Sequence, residues 1–187
     1  MAITIIPVSE QAKGQFNGGE ILENKPIGFP QDGGKGKPYS TLFYWAHAWS
    51  DMGSTIGEHP HRGFEIITYV IKGTIEHYDS QQMGWNTLET GAAQVIRAGN
   101  GISHAEKLHA GAEIFQIWLD PNIANSITQP ASYEDLPPDR FTTIKQDSWD
   151  EKPISGNQGP MKLGTAGVVI KELTFGAGKH RIFLVKD

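Results

Sequence analysis

The sequence predicts an all-β fold, a barrel or sandwich of many short strands, and three observations support this. The 22 glycines and 11 prolines are spread along the whole chain. Between them lie short runs rich in Ile, Val, Tyr, Phe, Trp and Thr, which is typical of strands joined by tight turns. No long segment shows a helical period. With 187 residues, the chain can bury a full core without covalent cross-links.

Nine segments have the composition expected of strands. Residues 64–71 are apolar on both faces apart from Glu65, which favours a central strand covered on each side. Residues 168–185 have the pattern of one hairpin, which needs a partner because a lone hairpin is rarely stable. We expect that partner to be residues 3–6 or another subunit. The predicted strands are residues 3–6, 40–49, 64–71, 74–78, 93–96, 103–107, 113–119, 168–175 and 182–185.

Three other segments are predicted to lie outside the sheets. Ser132–Leu136 is the best short-helix candidate, because Ser132 can cap a first turn and acidic residues at 134 and 135 suit a helix N-terminus. Residues 11–36 are glycine-rich without periodicity and are expected to be loop. Residues 137–164 are polar with four prolines and are expected to be a linker or a loose connection.

Composition excludes several classes of function. The chain has no cysteine, which rules out disulfides, zinc fingers, iron–sulfur ligation and a cysteine nucleophile. The net charge is −5 and no basic patch is present, so direct binding to nucleic acid is not expected. No apolar run approaches the ~20 residues that span a bilayer. The N-terminus does not resemble a signal peptide. We therefore expect a cytoplasmic protein that does not enter a membrane.

Two short segments carry the chemistry. In His59-Pro60-His61 the two imidazoles are two residues apart, so on a strand they point to the same face and can hold one ion. The second segment, residues 99–106, reads GNGISHAE and places His104 and Glu106 at the same spacing after a tight-turn signal. For either segment alone, the alternative is that its histidines are surface residues that have this spacing by chance. Two such pairs favour a shared metal site.

Three imidazoles and one carboxylate form a facial set that leaves two adjacent positions open on a six-coordinate ion. This donor set suits one divalent ion, Fe(II) first, with Mn, Ni, Cu or Co as alternatives. A four-coordinate zinc ion would use all four ligands and give a closed, structural site.

Four stretches together resemble the pirin family of the cupin superfamily. They are GSTIGEHPHRGFEIITYVIKGTIEHYDS, IRAGNGISHAE, EIFQIWLDPN and QPASYEDLP, in this order. The resemblance implies a cupin fold, that is, a double-stranded β-helix or jelly-roll barrel, with His59, His61, His104 and Glu106 as metal ligands. Glu65 is a ligand in many other cupins, but here the resemblance places it next to the ligands rather than among them.

The resemblance also implies a division of the chain. Residues 1–136 correspond to the N-terminal cupin barrel of pirins, which usually have two barrels. The stretch GVVIKELTFGAGKHRIFLVKD resembles the opening of the second. We expect residues 137–187 to be a truncated, incomplete remnant of that barrel, packed on the first barrel or on a partner subunit, with a homodimer as one option.

Two further histidines fall near the predicted site. His47, in an aromatic strand, is a candidate for the mouth of a pocket. His77 is expected to be a buried structural residue hydrogen-bonded to Asp79.

Two functions remain open from the sequence. Members of the family resembling this chain include quercetin 2,3-dioxygenases, which implies a ring-cleaving oxygenase that takes a flavonol-like aromatic substrate and dioxygen, with Glu106 as general base. The alternative is a metal-dependent regulatory protein that binds a protein partner without turnover. A cupin isomerase of sugars is a third class, without a supporting motif.

Overall fold

A computed structural model describes residues 5–146 and 149–176, and the backbone of residues 181–183. Within these residues the chain forms short strands, one α-helical turn and four 3-10 turns. The strands are β1 (Ala12–Phe16), β2 (Ile21–Ile27), β3 (Leu42–Ser50), β4 (Ser54–His61), β5 (Glu65–Lys72), β6 (Thr74–Asp79), β7 (Trp85–Glu89), β8 (Ala93–Arg97), β9 (Ile102–Leu108), β10 (Ala112–Leu119), β11 (Ser132–Leu136), β12 (Ile144–Lys145), β13 (Trp149–Ser155), β14 (Ile170–Phe175) and β15 (Arg181–Phe183). The helix is α1 (Ile123–Ser126), and the 3-10 turns are Val8–Glu10, Asn17–Gly19, Pro30–Asp32 and Pro138–Arg140.

Two sheets face each other across the core. A seven-stranded sheet, in the order β1-β2-β3-β10-β5-β8-β11, packs on a four-stranded sheet in the order β4-β9-β6-β7. Val70 and Ile114 of the first sheet pack with Ile75 and Leu108 of the second. The predicted all-β, jelly-roll class is therefore confirmed. Over the described residues the two sheets are not joined by hydrogen bonds into the closed barrel that we expected.

Strand β5 is buried on both faces, as the sequence predicts. Six successive residues from position 65 to 70 are buried. Ile66 and Val70 face the four-stranded sheet, whereas Ile67 and Tyr69 belong to a cluster on the opposite face. Met161 and Ile170 of the C-terminal part complete that cluster, so the seven-stranded sheet is covered on its outer side as well.

The C-terminal strands form a third sheet in the order β12-β13-β14-β15. The partner of the hairpin β14–β15 is β13, so the expected pairing with residues 3–6 is wrong for the part that can be described. Residues 5 and 6 are not in a strand, and residues 3, 4, 184 and 185 lie outside the described residues. A buried polar group ties this sheet to β5: the Tyr69 hydroxyl donates to the Glu172 carboxylate, which Lys152 contacts at 2.8 Å.

Three segments differ from the sequence prediction. Ser132–Leu136 is strand β11, not a helix; it pairs with β8 and places Tyr133 opposite Ile96. Its Asp135 side chain accepts a hydrogen bond from Gln94 at 2.8 Å rather than serving a helix N-terminus. Residues 11–36 contain the hairpin β1–β2, and residues 137–164 contain β12 and β13, so neither segment is simply a connection. No helix in the described part of the chain has the length and hydrophobicity needed to cross a membrane.

Candidate metal centre

Strands β4 and β9 bring the two predicted ligand segments together. They pair antiparallel with His59 directly opposite His104. A register shift between Ile56 and His59 marks a β-bulge in β4, and such bulges redirect side chains. The bulge places the Gly57 carbonyl within 2.8 Å of His59 Nδ1. Alternation along β4 then puts His61 on the same face as His59.

The three histidines converge on one point. His104 Nε2 lies 2.9 Å from His61 Nε2 and 3.1 Å from His59 Nε2. The potential ligand atoms of all three residues lie within 4.8 Å of one another. The three residues are therefore close enough together that the His triad could hold a metal.

The protonation of these rings also suits a metal. His59 Nδ1 carries the hydrogen that it donates to Gly57, which leaves the lone pair on Nε2. Burial, followed by the neighbouring histidines, lowers the pKa of His61 to about 3. The pKa of His104 is also lowered to about 3, again by burial first. The rings of His61 and His104 are therefore neutral at ordinary pH, as imidazole ligands must be.

Glu106 lies on the same strand as His104 but stands slightly apart from the triad. Its carboxylate is not among the atoms that converge within 4.8 Å. Gln116 Nε2 donates to one carboxylate oxygen at 2.7 Å, and the Thr68 hydroxyl donates to the other at 3.3 Å. The side chain is 2% exposed. The structure thus brings together three of the four predicted ligands and holds the fourth beside the same cavity by two hydrogen bonds.

An aromatic cavity of about 230 Å³ opens on these residues. Tyr44 and Trp118 form one wall, with their ring centroids 4.5 Å apart, and Phe29 packs against both. His59, His61 and Glu106 also line it, together with residues of both sheets. The lining residues are Phe16, Glu23, Lys25, Phe29, Tyr44, Ala48, Ile56, His59, His61, Glu106, Leu108, Ile114, Gln116 and Trp118.

The cavity also contains a charged group that the sequence did not reveal. Glu23 accepts a hydrogen bond from the Tyr44 hydroxyl at 2.9 Å and lies 3.8 Å from Lys25. Burial raises the pKa of the Glu23 carboxyl, although Tyr44 and Lys25 oppose the shift. Burial also raises the pKa of Tyr44. Glu23 and Lys25 lie two residues apart on β2 and share one face of the strand, but the sequence shows no apolar alternation there that would have identified them.

Two residues predicted near the site lie elsewhere. Glu65 points to the outer face of the seven-stranded sheet, where its carboxylate accepts hydrogen bonds from the backbone amides of Gly164 at 2.6 Å and Thr165 at 2.9 Å. It does not support the metal ligands, because odd-numbered residues of β5 face away from the cavity. His47 is on the outer face too; its Nε2 lies 3.4 Å from Glu113, and it does not line the cavity mouth.

His77 lies beside the triad. It is fully buried, and its ring centroid is 5.4 Å from that of His104. The expected hydrogen bond between His77 and Asp79 is not formed.

Fold and site together define a jelly-roll protein of the cupin type with a candidate histidine metal centre. Residues 37–119 match the Pirin family. The segment that carries all three histidines therefore matches the Pirin domain, as the sequence motifs predicted.

Individual relatives agree with this assignment. Quercetin 2,3-dioxygenase of Escherichia coli (strain K12) is 42% identical over 82 residues, which are 42% of this chain and 34% of the relative. The matching segment thus spans about one third of the length of the curated relatives. Among solved structures, GK1651 from Geobacillus kaustophilus has a TM-score of 0.73 at 25% identity over 90% of this chain and 68% of its own. The nickel(II) complex of the bacterial pirin YhhW from Escherichia coli has a TM-score of 0.62 at 21% identity, covering 79% of this chain and 69% of its own, and supports the fold.

Proposed function

We propose that this protein is a metal-dependent oxygenase of the quercetin 2,3-dioxygenase type, which acts on flavonol-like substrates with dioxygen. The observation that carries the proposal is the aromatic cavity that His59, His61 and Glu106 help to line. Aromatic walls suit a planar aromatic ligand. A cavity with a few convergent polar groups at its inner end is the usual form of a ligand site.

The proposed cofactor is one divalent ion, Fe(II) first, with Mn, Ni, Cu, Co or Zn as alternatives. His59, His61 and His104 would hold it, and Glu106 would be the fourth ligand. When bound, such an ion supplies Lewis acidity and open positions for oxygen ligands. The low pKa values of His61 and His104 support this role, because neither ring must lose a proton first.

Glu106 is the proposed general base. Its carboxylate would accept the proton of the substrate hydroxyl, so that the O–H bond breaks and the proton moves to a Glu106 oxygen. Gln116 and Thr68 hold the carboxylate in place by their hydrogen bonds.

The size of the cavity limits the substrate. Its volume of about 230 Å³ is below the ~300–1,000 Å³ of typical small-molecule sites. A three-ring flavonol would therefore fill the cavity and extend beyond its mouth. Phe29, Tyr44 and Trp118 would stack on the enclosed ring and exclude water from the end that bears the histidines.

Two further assignments belong to this proposal. The E. coli relative named quercetin 2,3-dioxygenase supports the activity over the matched residues, and the activity of the whole protein is inferred from there. We also propose a domain division after residue 136, because β12 to β15 form a sheet of their own that packs on the outer side of β5.

The decisive experiment compares Glu106→Gln with His61→Ala. The amide retains the shape of the carboxylate but cannot accept the proton, so Glu106→Gln should keep part of the metal and lose nearly all oxygen uptake with flavonols. His61→Ala should lose most of the metal. Metal content and oxygen consumption are measured on the same iron-loaded samples, with Glu113→Gln on the outer face as the control.

The outcomes separate the two functions left open by the sequence. Oxygen uptake that depends on a flavonol and on Glu106 supports the oxygenase. If the iron-loaded wild type neither consumes oxygen nor binds any flavonol, the oxygenase proposal fails. The metal-dependent regulatory protein is then the function to pursue.

A further inference from the structure

Four buried polar atoms lie together on the far side of the metal centre from the cavity. They are Nδ1 and Nε2 of His77, Oδ2 of Asp79 and Nδ1 of His104. None has a hydrogen-bond partner among the described residues. Each residue is at most 1% exposed. An unpaired buried polar group costs ~1–3 kcal/mol, so a cluster of four calls for an explanation.

The register of two strands places these atoms near one another. Strand β6 pairs with β9, with His77 opposite Glu106 and Asp79 opposite His104. The ring centroids of His77 and His104 are 5.4 Å apart, which leaves room for one hydrogen bond between the rings. Asp79 acts electrostatically on His77. His77 is therefore a neighbour of both the metal ligand and the carboxylate.

The hydrogen-bonding capacity of the four atoms can be balanced through His77. If His104 Nε2 binds the ion beside the other two histidines, its Nδ1 carries the hydrogen and must donate. Asp79 Oδ2 must accept, since the other carboxylate oxygen already receives the backbone amides of Gln81 and Gln82 at 2.7 and 3.0 Å. A neutral His77 offers one donor and one acceptor. Two donors therefore meet two acceptors.

The side chain that covers His77 does not compete for these bonds. Tyr133 packs its ring against His77 at a centroid distance of 5.4 Å. Its hydroxyl is directed to Asp135 at 2.9 Å and to Gln82 at 3.1 Å. Glu106, the other charged group that acts on His77, is bonded to Gln116 and Thr68. His77 is therefore the acceptor available to His104, and Asp79 is the acceptor available to His77, although neither hydrogen bond is formed in the structure.

We propose that His77 is a positioning residue of the metal centre, in a relay that runs from Asp79 through His77 to Nδ1 of His104. The relay fixes His104 in the tautomer whose Nε2 lone pair points at the ion, and it makes that nitrogen a stronger donor. Outer partners of metal-bound imidazoles act in this way. The inference rests on the metal site but not on the proposed oxygenase activity.

The test replaces His77 in two ways and measures metal affinity. His77→Phe keeps a buried ring but removes both polar atoms, and should weaken the binding of Ni²⁺ about 10- to 100-fold. His77→Gln keeps one donor and one acceptor and should recover most of the affinity. Calorimetric titration with Ni²⁺ alone gives the affinities, and thermal unfolding of the metal-free proteins identifies any general loss of structure. His47→Phe, a matched change on the outer face, should bind like the wild type.

A second readout follows the relay directly. Long-range ¹H–¹⁵N spectra of the metal-free protein should show a single Nδ1–H tautomer of His104 in the wild type and a mixture in His77→Phe. Equal Ni²⁺ affinity of wild type and His77→Phe would overturn the relay, as would a His77→Gln variant as weak as His77→Phe. A wild type that binds no Ni²⁺ would overturn the metal site and the relay together. None of these measurements uses oxygen uptake, so a failure of the relay can be distinguished from a failure of the oxygenase proposal.

Discussion

Replacement of Glu65 by glutamine should separate stability from metal binding. The Glu65 carboxylate accepts hydrogen bonds from two backbone amides, of Gly164 and Thr165, and from the Thr165 hydroxyl at 2.5 Å. It is 1% exposed and lies 3.7 Å from Arg97. These contacts fasten the C-terminal part of the chain to the centre of the sheet.

The expected loss of stability follows from the number of hydrogen-bond donors that face the Glu65 carboxylate. An amide offers one acceptor oxygen where the carboxylate has two, and its NH₂ group would face a backbone N–H. Hydrogen bonds to a charged group contribute ~1.5–3 kcal/mol each, and breaking a buried ionic group costs ~3–5 kcal/mol. We therefore expect Glu65→Gln to lower the free energy of unfolding by about 3–5 kcal/mol, or the Tm by roughly 6–20 °C for a chain of this length.

Urea unfolding followed by tryptophan fluorescence measures the loss of stability, and titration with Ni²⁺ measures metal affinity, which should be unchanged. A double-mutant cycle with Thr165→Val gives the coupling of the two side chains. Glu113→Gln is the control, because its partly exposed ion pairs should contribute less than about 1 kcal/mol. A Glu65→Gln variant of near-normal stability but reduced metal affinity would refute the reasoning. Glu65 would then act at the metal, as its counterpart does in many cupins.

Three further predictions concern the turn, the core and the ion. Gly99→Ala should cost about 2 kcal/mol or more by urea unfolding, because φ is +49° and a Cβ would lie 2.5 Å from the Gln129 carbonyl oxygen; an unchanged midpoint would contradict this. Leu136→Ala should cost about 2–5 kcal/mol, since the side chain is fully buried on β11, and a loss below ~1 kcal/mol would argue against that packing. Saturation with Ni²⁺ at 100 times Kd should add about 2.7 kcal/mol to the free energy of unfolding. Chelation should reverse the gain and leave the far-UV circular dichroism unchanged, because the hydrophobic clusters contain no metal ligand.

The histidines were predictable because strand geometry alone relates sequence spacing to direction. Residues two apart on a strand share a face, so His59 and His61 had to point together. The position of Glu65 was not predictable in this way. It also shares the parity of His61, but it belongs to β5, a different strand of the opposite sheet, and its outward face is covered by residues 99 and 100 positions further along the chain.

Two of the missed strands, β2 and β11, lack the local sequence pattern that identifies a strand. In β2 the inward positions include Glu23 and Lys25, which line the cavity instead of the core, so the apolar alternation that identifies a strand is absent. In β11, Ser132 and the acidic residues imitate a helix start, whereas pairing with β8 decides the structure. The conformational preference of a short segment is weak evidence for its structure when a neighbouring strand offers a full set of backbone hydrogen bonds.

The hairpin β1–β2 forms part of the cavity wall. It contributes Phe16, Glu23 and Lys25 to the wall, although it precedes the residues that match the Pirin family. It forms the edge of the seven-stranded sheet, where β1 pairs with β2 alone. Part of the cavity wall thus lies in a stretch of the chain separate from the three histidines, and this stretch can be varied without replacing any of them. Grafting this hairpin between relatives is accordingly a direct route to new selectivity on an unchanged set of histidines.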